Sequence, residues 1–534
     1  MIHPATATRG MVVAPHHLAA EAGLSVLREG GNAIEAMIAA ASTIAVVYPH
    51  MNGLGGDNFW LISRAGKPPV GIDACGAAAG LATADFYREH GASKAIPSRG
   101  PLSALTVAGA VSGWAAALEA SKAAGGRMPL SRLLADAIHY ARAGFPVTAT
   151  QTKNNTGKRA ELEHVLGFAA KFMPGGAPPE IGSLFRNGEL AATLEHLAMA
   201  GLGDFYRGDL ARSLAAGVEK AGSPLRLDDF ERHKALAVDP LSVRLSQATA
   251  YGMPPPTQGL ASMMILGLFE RIKPGTAEGF AYVHALVEAT KQAFLVRDAE
   301  VTDPAYMSAD PRSFLNPADL DARAARIDKA RALPWPQTAK RGDTVWLGAI
   351  DKDGTAVSFI QSIYWEFGSG VVLPESGIVW QNRGTSFSLD ATHRNALKPH
   401  RRPFHTIQPA LALFDDGRVM AYGTMGGEGQ PQTQAAVFTR YANYGQDLQS
   451  AITAPRWLLG RTWGSDVTNL RIENRFAPEV IVELRAAGHD VEVIGPYEEA
   501  MGHAGALVAH RNGPRAGTIE GASDPRSDGR AAGY

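Results

Sequence analysis

The chain has 534 residues, of which 46% are hydrophobic and 19% are charged, as in a globular protein with a sizeable core. Its 51 Lys and Arg balance 52 Asp and Glu, which excludes the strongly basic surface that binds nucleic acid or anionic membranes. Cys75 is the only cysteine, which excludes an intramolecular disulfide. The first residues resemble no secretory signal and no run is as long as a membrane span, so we expect a cytoplasmic protein.

The first predicted elements are a helix and a loop. Asn32 is a candidate N-cap for an apolar stretch, Ala36 to Val47, which is too short to cross a bilayer and is typical of a buried helix. The next loop, YPHMNGLGGDNFW, crowds glycine and asparagine around Asp57 before an apolar run typical of a strand. For any single residue of this loop, a plain tight turn is the preferred interpretation.

The middle of the chain is predicted to be helical and then extended. Residues 100 to 240 show helical apolar patterns with Pro and Gly breaks, and we find no catalytic pattern there. The three prolines of MPPPTQG predict a rigid connector, and residues 283 to 294 predict an amphipathic helix. Residues 310 to 340 are rich in Pro, Ala, Arg and Lys, which is typical of an exposed, mobile segment.

A β-hairpin is predicted directly after that segment. TVWLGAID, KDG and TAVSFIQSIY form strand, turn and strand, and Thr344 begins the first strand after Gly342 and Asp343. An N-terminal threonine carries its own base, because an α-amine with a pKa of about 7.7 to 8.0 can accept the hydroxyl proton near neutral pH. Most threonines that begin a strand have no such role, so the prediction needs support from other residues.

Two further features give that support. In a hairpin with this turn, Thr344 lies opposite Gln361, which brings Ser362 within reach as a hydroxyl partner. Further on, YGTMGGEGQPQ places Gly426 and Gly427 after a strand-like run, where two N–H groups could point at a developing oxyanion. A glycine pair alone is more often a turn.

Taken in order, MPPPTQG, HALVEATKQAF, GDTVWLGAIDKDGTAVSFIQS, FGSGVVLPESGIVWQNRG, RRPFHTIQPA and GTMGGEGQPQ resemble the γ-glutamyltranspeptidase superfamily. With GGNAIEAMIAA and GLGGDNFW, the resemblance covers nearly the whole chain. It implies an α+β fold, the four-layer αββα sandwich of N-terminal-nucleophile hydrolases, made as a precursor that cleaves itself between Asp343 and Thr344. Residues 1–343 would form the large subunit, and residues 344–534 the small subunit packed against it.

The resemblance also assigns roles residue by residue. It makes Thr344 the nucleophile, Ser362 the hydroxyl that steadies it, and Gly426 and Gly427 the oxyanion residues. It implies a small-molecule substrate, no metal and no organic cofactor. A homo-oligomer of the processed pair is compatible with it.

Three positions depart from the members that act on glutamyl substrates. Cys75, in IDACGAAAG, stands where they have the arginine that holds the substrate α-carboxylate. Tyr364 and Ser386 stand where they have the asparagine and the acidic residue that hold the α-amine. An ammonium group without its anionic partner loses about 1.5–3 kcal/mol, so we expect poor use of glutathione.

Substrate binding is therefore predicted to involve other residues of the small subunit. His405 and Thr406 replace the serine pair of the family, and Arg383 or His405 could hold a carboxylate, although Arg383 could equally be an exposed structural residue. Tyr364 and Trp365 are expected to shorten the pocket, unless they belong to the core. With VVYPHMNGLGGDNFWLI, these features resemble the branch of the family that hydrolyses oxamate to oxalate and ammonia in the use of purine-derived nitrogen.

Three alternatives stay open. A γ-glutamyl hydrolase or transferase would need its anchors elsewhere, and an acylase for larger amides would need a deeper pocket. In a different class, the chain could be an uncleaved binding protein in which Thr344 is an ordinary strand residue.

Several residues are expected to have no catalytic role. The histidines have no metal-ligand spacing, and His16, His17 and His50 are expected to be structural or surface residues. Cys75 is expected to be inert, with no base nearby, and the terminal GASDPRSDGRAAGY is expected to be a flexible tail.

Overall fold

The computed structural model describes residues 3–335, 343–460 and 468–534. It contains two seven-stranded antiparallel sheets and two small sheets. The strands are β1 Ala5–Ala7, β2 Gly10–Ala14, β3 Asp57–Ser63, β4 Val70–Ala74, β5 Phe145–Pro146, β6 Leu184–Phe185, β7 Leu236–Val238, β8 Leu241–Arg244, β9 Ala248–Gly252, β10 Asp343–Asp351, β11 Ala356–Tyr364, β12 Ala410–Phe414, β13 Val419–Thr424, β14 Trp457–Leu459, β15 Leu470–Glu473, β16 Val491–Ile494, β17 Ala504–His510, β18 Thr518–Ser523 and β19 Arg530–Gly533.

The helices pack on the two large sheets and on one another. They are α1 His17–Arg28, α2 Ala33–Val47, α3 Ala84–Glu89, α4 Ala110–Ala123, α5 Leu130–Ala143, α6 Ala149–Leu162, α7 Phe168–Phe172, α8 Gly188–Ala200, α9 Asp204–Arg207, α10 Asp209–Ala221, α11 Leu227–Arg232, α12 Gly259–Ile272, α13 Phe280–Glu300, α14 Pro317–Ala324, α15 Gly429–Ala442, α16 Leu448–Thr453 and α17 Pro478–Ala486. In the described part of the chain, no helix combines the length and the apolar character needed to cross a membrane.

The two large sheets are called sheet I and sheet II below. The strand order of sheet I is β1-β18-β17-β13-β12-β9-β8, and that of sheet II is β19-β2-β10-β11-β3-β4-β7. Neighbouring strands are antiparallel in both.

Alternation of side chains along the strands divides the core into three parts. In β10, Val345 and Leu347 face a core shared with α1 and α2, whereas Trp346 lies between the sheets with Leu411 and Leu507. The outer face of sheet I packs on α12, α13 and α15. This order of helix, sheet, sheet and helix confirms the predicted αββα sandwich and its α+β class.

The helix predicted near the beginning of the chain is confirmed as α2. Asn32 is its N-cap, in a capping box with Glu35, and all fifteen helical residues are buried. The predicted helical region from 100 to 240 contains α4 to α11.

Two predictions of mobility are wrong. The terminal GASDPRSDGRAAGY contributes to β18 and forms β19, because its small residues fit against the sheets: the Ala531 and Ala532 side chains are buried. In the predicted mobile segment, α14 packs on α12 through the buried Leu320. Residues 336–340, the rest of that prediction, lie outside the described residues.

Candidate active site

One end of the sandwich collects the residues that the sequence singles out. There β10 begins, β3 begins opposite the end of β11, and β13 ends beside the start of β17. Trp346, near the start of β10, packs against Gly423, near the end of β13, where a Cβ would collide with the indole ring. The first residues of β10 therefore lie over the last residues of β13.

Thr344 is fully buried near the start of β10, at the end of the hairpin that lies away from its turn. The hairpin itself is confirmed, but its predicted register at Thr344 is wrong by one residue, because Val345 pairs with Gln361. β11 has one extra residue at this point, a bulge that leaves Ser362 and Ile363 opposite Thr344. The bulge could not be deduced from alternation, since both strands alternate regularly on either side of it.

Ser362 and Tyr364 form the end of β11. The Ser362 Oγ accepts a hydrogen bond of 2.8 Å from the backbone N–H of Tyr364. Tyr364 has a φ of 82°, a left-handed backbone conformation that residues with a Cβ rarely adopt. The chain thus turns sharply one residue after the stretch opposite Thr344.

Gly426 and Gly427 form the turn between β13 and α15. Their φ angles are 114° and 53°, in the region that favours glycine. The Gly426 carbonyl accepts from the Gly429 N–H at 2.8 Å, and the Gly427 carbonyl accepts from Gln258 Nε2 at 2.8 Å. The pair therefore stands at the N-terminus of α15, where the helix dipole favours negative charge.

Arg383 is fully buried, so its interpretation as an exposed structural residue is wrong. Its guanidinium carbon lies 3.6 Å from the centre of the Tyr364 ring, and Nη1 donates to Thr406 Oγ1 at 3.4 Å. Nε and Nη2 have no hydrogen-bond partner, and no carboxylate of the described residues forms an ion pair with this side chain. Burial lowers its pKa to about 10, so it stays charged at neutral pH. A buried cation with two unused donors is a site for an anion.

His405 is paired with Asp57, which no sequence pattern singles out as a functional residue. His405 Nε2 and Asp57 Oδ2 are 3.0 Å apart, and both side chains are buried. Asp57 Oδ1 also accepts from the Gly76 and Gly109 N–H groups and from Gln381 Nε2. Burial raises the pKa of Asp57 to about 7, despite these donors and the Arg383 charge.

The same burial holds the pKa of His405 well below its ordinary value, assisted by the charges of Arg383 and Arg402. His405 is thus neutral at neutral pH and bonded to Asp57, so it does not provide a cationic anchor. Of the residues predicted to bind a carboxylate, Arg383 and Thr406 have the geometry for it.

Cys75 lies beside this pair, at the end of a cleft of about 560 Å³ that Asp73, Lys234 and Arg402 also line. The expectation that no base is near Cys75 is wrong, because the fold brings Asp57 and His405 within 4.8 Å of its sulfur. Burial and the charges of Asp57 and Asp73 hold the pKa of the thiol well above its ordinary value. The thiol therefore stays protonated, in keeping with an inert residue.

Two groups of buried side chains combine residue types that bind metals. They are Asp57, Cys75 and His405, and His284, Glu288 and His489. In the second group, His284 Nδ1 bonds His489 Nε2 at 2.8 Å. Lys291 Nζ also lies 2.7 Å from Glu288 Oε1. In the first group His405 Nε2 and Asp57 bond each other, and in the second group hydrogen bonds and the Lys291 ammonium group satisfy the atoms named above. The absence of a metal and a cofactor stays a prediction.

Comparison with known proteins places this arrangement in a family. The profile of the family named γ-glutamyltranspeptidase matches residues 19–534. The chain belongs to the γ-glutamyltranspeptidase family.

Several proteins of known name are similar to this family member. The oxamate amidohydrolase proenzyme of Klebsiella pneumoniae is 55% identical over 528 residues, 99% of each chain. A glutathione hydrolase-like proenzyme of Bacillus subtilis is 41% identical over 98% of each chain. The crystal structure of cephalosporin acylase from Bacillus halodurans superposes with a TM-score of 0.91 at 33% identity, covering 100% of this chain and 97% of that one. The chain thus has the N-terminal-nucleophile hydrolase fold of its family over its full length.

Proposed function

We propose that this protein is a self-processing threonine amidohydrolase that hydrolyses oxamate to oxalate and ammonia. The observation that carries the proposal is Arg383, a buried guanidinium with two unused donors at the same end of the sandwich as Thr344. A planar guanidinium matches the geometry of a carboxylate. The 55% identity to an oxamate amidohydrolase proenzyme over 99% of both chains supports the same substrate.

The polar residues around Arg383 favour a small substrate. Asp57 is already bonded to four donors, and Ser386 Oγ donates to the carbonyls of Arg383 and Phe404. Neither side chain is thus available to hold the ammonium group of a glutamyl substrate. The Tyr364 ring covers one face of the guanidinium, which leaves the edge with Nε and Nη2 for the carboxylate of an acid.

In the proposed reaction, the Thr344 hydroxyl attacks the amide carbon of oxamate while the Thr344 α-amine takes its proton. The N–H groups of Gly426 and Gly427, at the N-terminus of α15, stabilise the oxyanion. The C–N bond then breaks, and the proton held by the amine passes to the leaving nitrogen to give ammonia. Water, deprotonated by the same amine, hydrolyses the ester to oxalate and restores the threonine.

The α-amine exists only after cleavage between Asp343 and Thr344, so processing belongs to the same proposal. Residues 1–343 form the large subunit and residues 344–534 the small subunit. Ser362, opposite Thr344 in the bulge, steadies the nucleophile. We place the reaction in the cytoplasm, in the use of purine-derived nitrogen.

The test combines cleavage with substrate preference. Wild-type protein, Thr344→Ala and the control Thr249→Ala, a half-buried strand threonine of sheet I, are compared by intact mass. Each is assayed for ammonia release from oxamate and for glutamate release from glutathione. We expect two fragments that meet at Asp343 and Thr344 in wild type and in the control, an intact chain in Thr344→Ala, and turnover of oxamate alone.

The other outcomes identify the alternatives. Cleavage with glutathione turnover would contradict oxamate as the substrate but support Thr344 as the nucleophile. It would favour a γ-glutamyl hydrolase, as the name of the Bacillus subtilis relative suggests. Cleavage without turnover of either, but with release of a larger acyl group, would favour an acylase. An intact and inactive wild-type chain would overturn the proposal and leave a binding protein.

A further inference from the structure

A second group of buried polar side chains lies against the residues that precede Gly426. His503 accepts a hydrogen bond from the Met425 N–H at its backbone carbonyl, at 3.3 Å. A Cβ on Gly426 would lie 3.4 Å from the Cα of Gly502. The loop before β17 therefore forms one wall of the end of the sandwich that holds Thr344.

Imidazole rings from three segments meet at this wall. The Tyr48 ring lies 4.3 Å from His50, 5.9 Å from His16 and 6.3 Å from His503, measured between ring centres. His16 follows β2, which pairs with β10, and His50 follows α2. All three histidines are buried, so of the two roles expected for His16 and His50, structural or surface, the surface role does not apply. We call this region, with Glu499, the histidine chamber.

Several polar atoms of the histidine chamber have no hydrogen-bond partner among the described residues. They are both ring nitrogens of His50, Glu499 Oε1 and the nearby Asp528 Oδ2. The His503 ring interacts with the Arg526 backbone through one nitrogen, which leaves its other nitrogen to face the chamber. Glu499 Oε1 lies 3.6 Å from His503 Nε2, beyond hydrogen-bond distance. A buried polar atom that stays unpaired costs about 1–3 kcal/mol, so this many together indicate a place that receives a polar molecule.

The charges of the histidine chamber define that molecule. Burial lowers the pKa of His16 to about 3 and that of His503 to about 4, so the rings are neutral and each offers a lone pair. Burial raises the pKa of Glu499 to about 8, with Asp528 and Glu366 adding to the effect.

The cations nearby are occupied or exposed. Lys153 lies 3.8 Å from Glu499 Oε2 and is largely exposed. Arg456 and Arg526, which also act on His503, form ion pairs with Asp524. The chamber is thus rich in acceptors and acidic groups, which suits a small molecule that carries several N–H donors.

We propose that the histidine chamber receives the ammonia released from the amide and holds it as ammonium between Glu499 and the neutral rings of His50 and His503. This inference rests on the proposed function, since the ammonia comes from that reaction. The Glu499 carboxyl group transfers its proton to ammonia, which gives an ammonium ion and a carboxylate. When the ammonium ion leaves, Glu499 takes a proton from solvent, so the cycle is balanced.

The experiment measures ammonium binding without turnover. Thermal unfolding of the processed wild-type enzyme is followed in ammonium, potassium, sodium and tetramethylammonium chloride at one ionic strength. We expect a rise in Tm of about 1–2 °C that is specific to ammonium, because a ligand that binds only the folded state stabilises it. Potassium is the sharpest comparison, because it has the same charge but no N–H donors for the imidazole nitrogens.

Two variants and one control test whether the ammonium-specific rise in Tm comes from the histidine chamber. Glu499→Gln and His503→Leu should each lose the ammonium-specific rise, and Glu483→Gln, an exposed residue of α17, should keep it. Equal Tm values in ammonium and potassium for the wild type, or an unchanged rise in Glu499→Gln, would overturn the inference. An ammonium-specific rise in Tm that requires Glu499, in an enzyme that does not hydrolyse oxamate, would support ammonium binding in the chamber. It would overturn only the proposal that oxamate is the substrate.

A second readout follows the reverse step. When ¹⁵N-ammonium is added during oxamate hydrolysis, we expect ¹⁵N in the remaining oxamate, because ammonia in the chamber can attack the Thr344 ester. Glu499→Gln should lower this incorporation at least tenfold relative to the rate of oxalate formation. Equal incorporation in the variant would contradict the chamber while leaving the hydrolase intact.

Discussion

Arg383 lies with its guanidinium carbon 3.6 Å from the centre of the Tyr364 ring, and both side chains are buried. Tyr364 reaches this position from a backbone with a φ of 82°, at the end of the strand that faces Thr344. The proposed carboxylate anchor is thus held by the same short segment that carries Ser362, the proposed hydroxyl partner of Thr344. In the proposed reaction, residues 362–364 of β11 would therefore couple substrate binding to the chemical step.

Replacement of Arg383 by lysine should raise the KM for oxamate about 10- to 100-fold with a smaller change in kcat. Lysine keeps the charge but loses the paired donors, and such charge-assisted hydrogen bonds contribute about 1.5–3 kcal/mol. Initial rates over a range of oxamate concentrations measure this. Arg244→Lys, an exposed arginine paired with Asp415, is the control and should leave KM unchanged. An unchanged KM in Arg383→Lys would contradict the anchor.

We expect the aromatic ring of Tyr364, rather than its hydroxyl group, to support substrate binding by Arg383. Tyr364→Phe should keep a KM close to that of wild type, whereas Tyr364→Leu should raise it about 3- to 30-fold, because a desolvated cation–π contact contributes about 0.5–2 kcal/mol. The same titration of oxamate measures both variants. Equal KM values for the Phe and Leu variants would show that the ring does not support Arg383.

Binding of oxamate should weaken above about pH 7. The pKa of Asp57 is about 7, so above that pH Asp57 adds a negative charge near Arg383 and opposes the substrate carboxylate. KM should therefore rise several-fold between pH 6 and pH 8.5. Asp57→Asn, which has the same shape and no charge, should flatten this rise, whereas Asp353→Asn in the exposed hairpin turn should not. A pH profile of KM that is the same in wild type and Asp57→Asn would contradict the coupling.

Asp57 should also affect stability. Its folded pKa is above the ordinary value of 3.8, so the folded state holds the proton more tightly than the unfolded state. The stabilisation from this proton is present below about pH 4 and is lost as the pH rises through about 7. Denaturant unfolding of wild type and Asp57→Asn between pH 5 and pH 8 should show a falling free energy of unfolding that is less steep in the variant. A steeper fall in the variant would contradict the assignment.

A Cβ at Gly426 should lower kcat, because it strains the backbone. The nearest atom to such a Cβ is the Gly502 Cα at 3.4 Å, so there is room, but a φ of 114° is unfavourable for alanine. Gly426→Ala should therefore shift the oxyanion amides and lower kcat about 100- to 1,000-fold. Gly445→Ala carries the same kind of strain at a φ of 65°, in open space, and should keep kcat. Similar kcat values in both variants would remove Gly426 from the oxyanion site.

The local features of the hairpin could be predicted from the sequence, and the long-range ones could not. Alternating side chains and the KDG turn predict β10 and β11, but the bulge at Thr344 depends on how sheet II packs over sheet I. Cys75 meets Asp57 and His405 only because β3, the end of β4 and the segment before β12 converge. No pattern of spacing connects positions that are 330 residues apart.

Composition misled the prediction of the C-terminal tail. Gly, Ser and Asp favour loops, yet β18 and β19 use small side chains where a larger one would collide: a Cβ on Gly533 would lie 2.7 Å from Ala7. The burial of Arg383 could not be predicted from the sequence either, because an arginine in a QNRG turn is usually exposed.

The strand order has a consequence for the fate of the processed enzyme. In sheet II, β2 lies between β19 and β10, and in sheet I the strands β18, β17, β13 and β12 lie between β1 and β9. A cut before Thr344 therefore yields two chains that alternate within each sheet, and neither can leave without breaking both sheets. A tethered precursor folds as one molecule, but two severed chains must find each other in solution. Cleavage would thus make folding a one-way event: the mature enzyme stays assembled for as long as it never unfolds, and dilution after denaturation would end its activity.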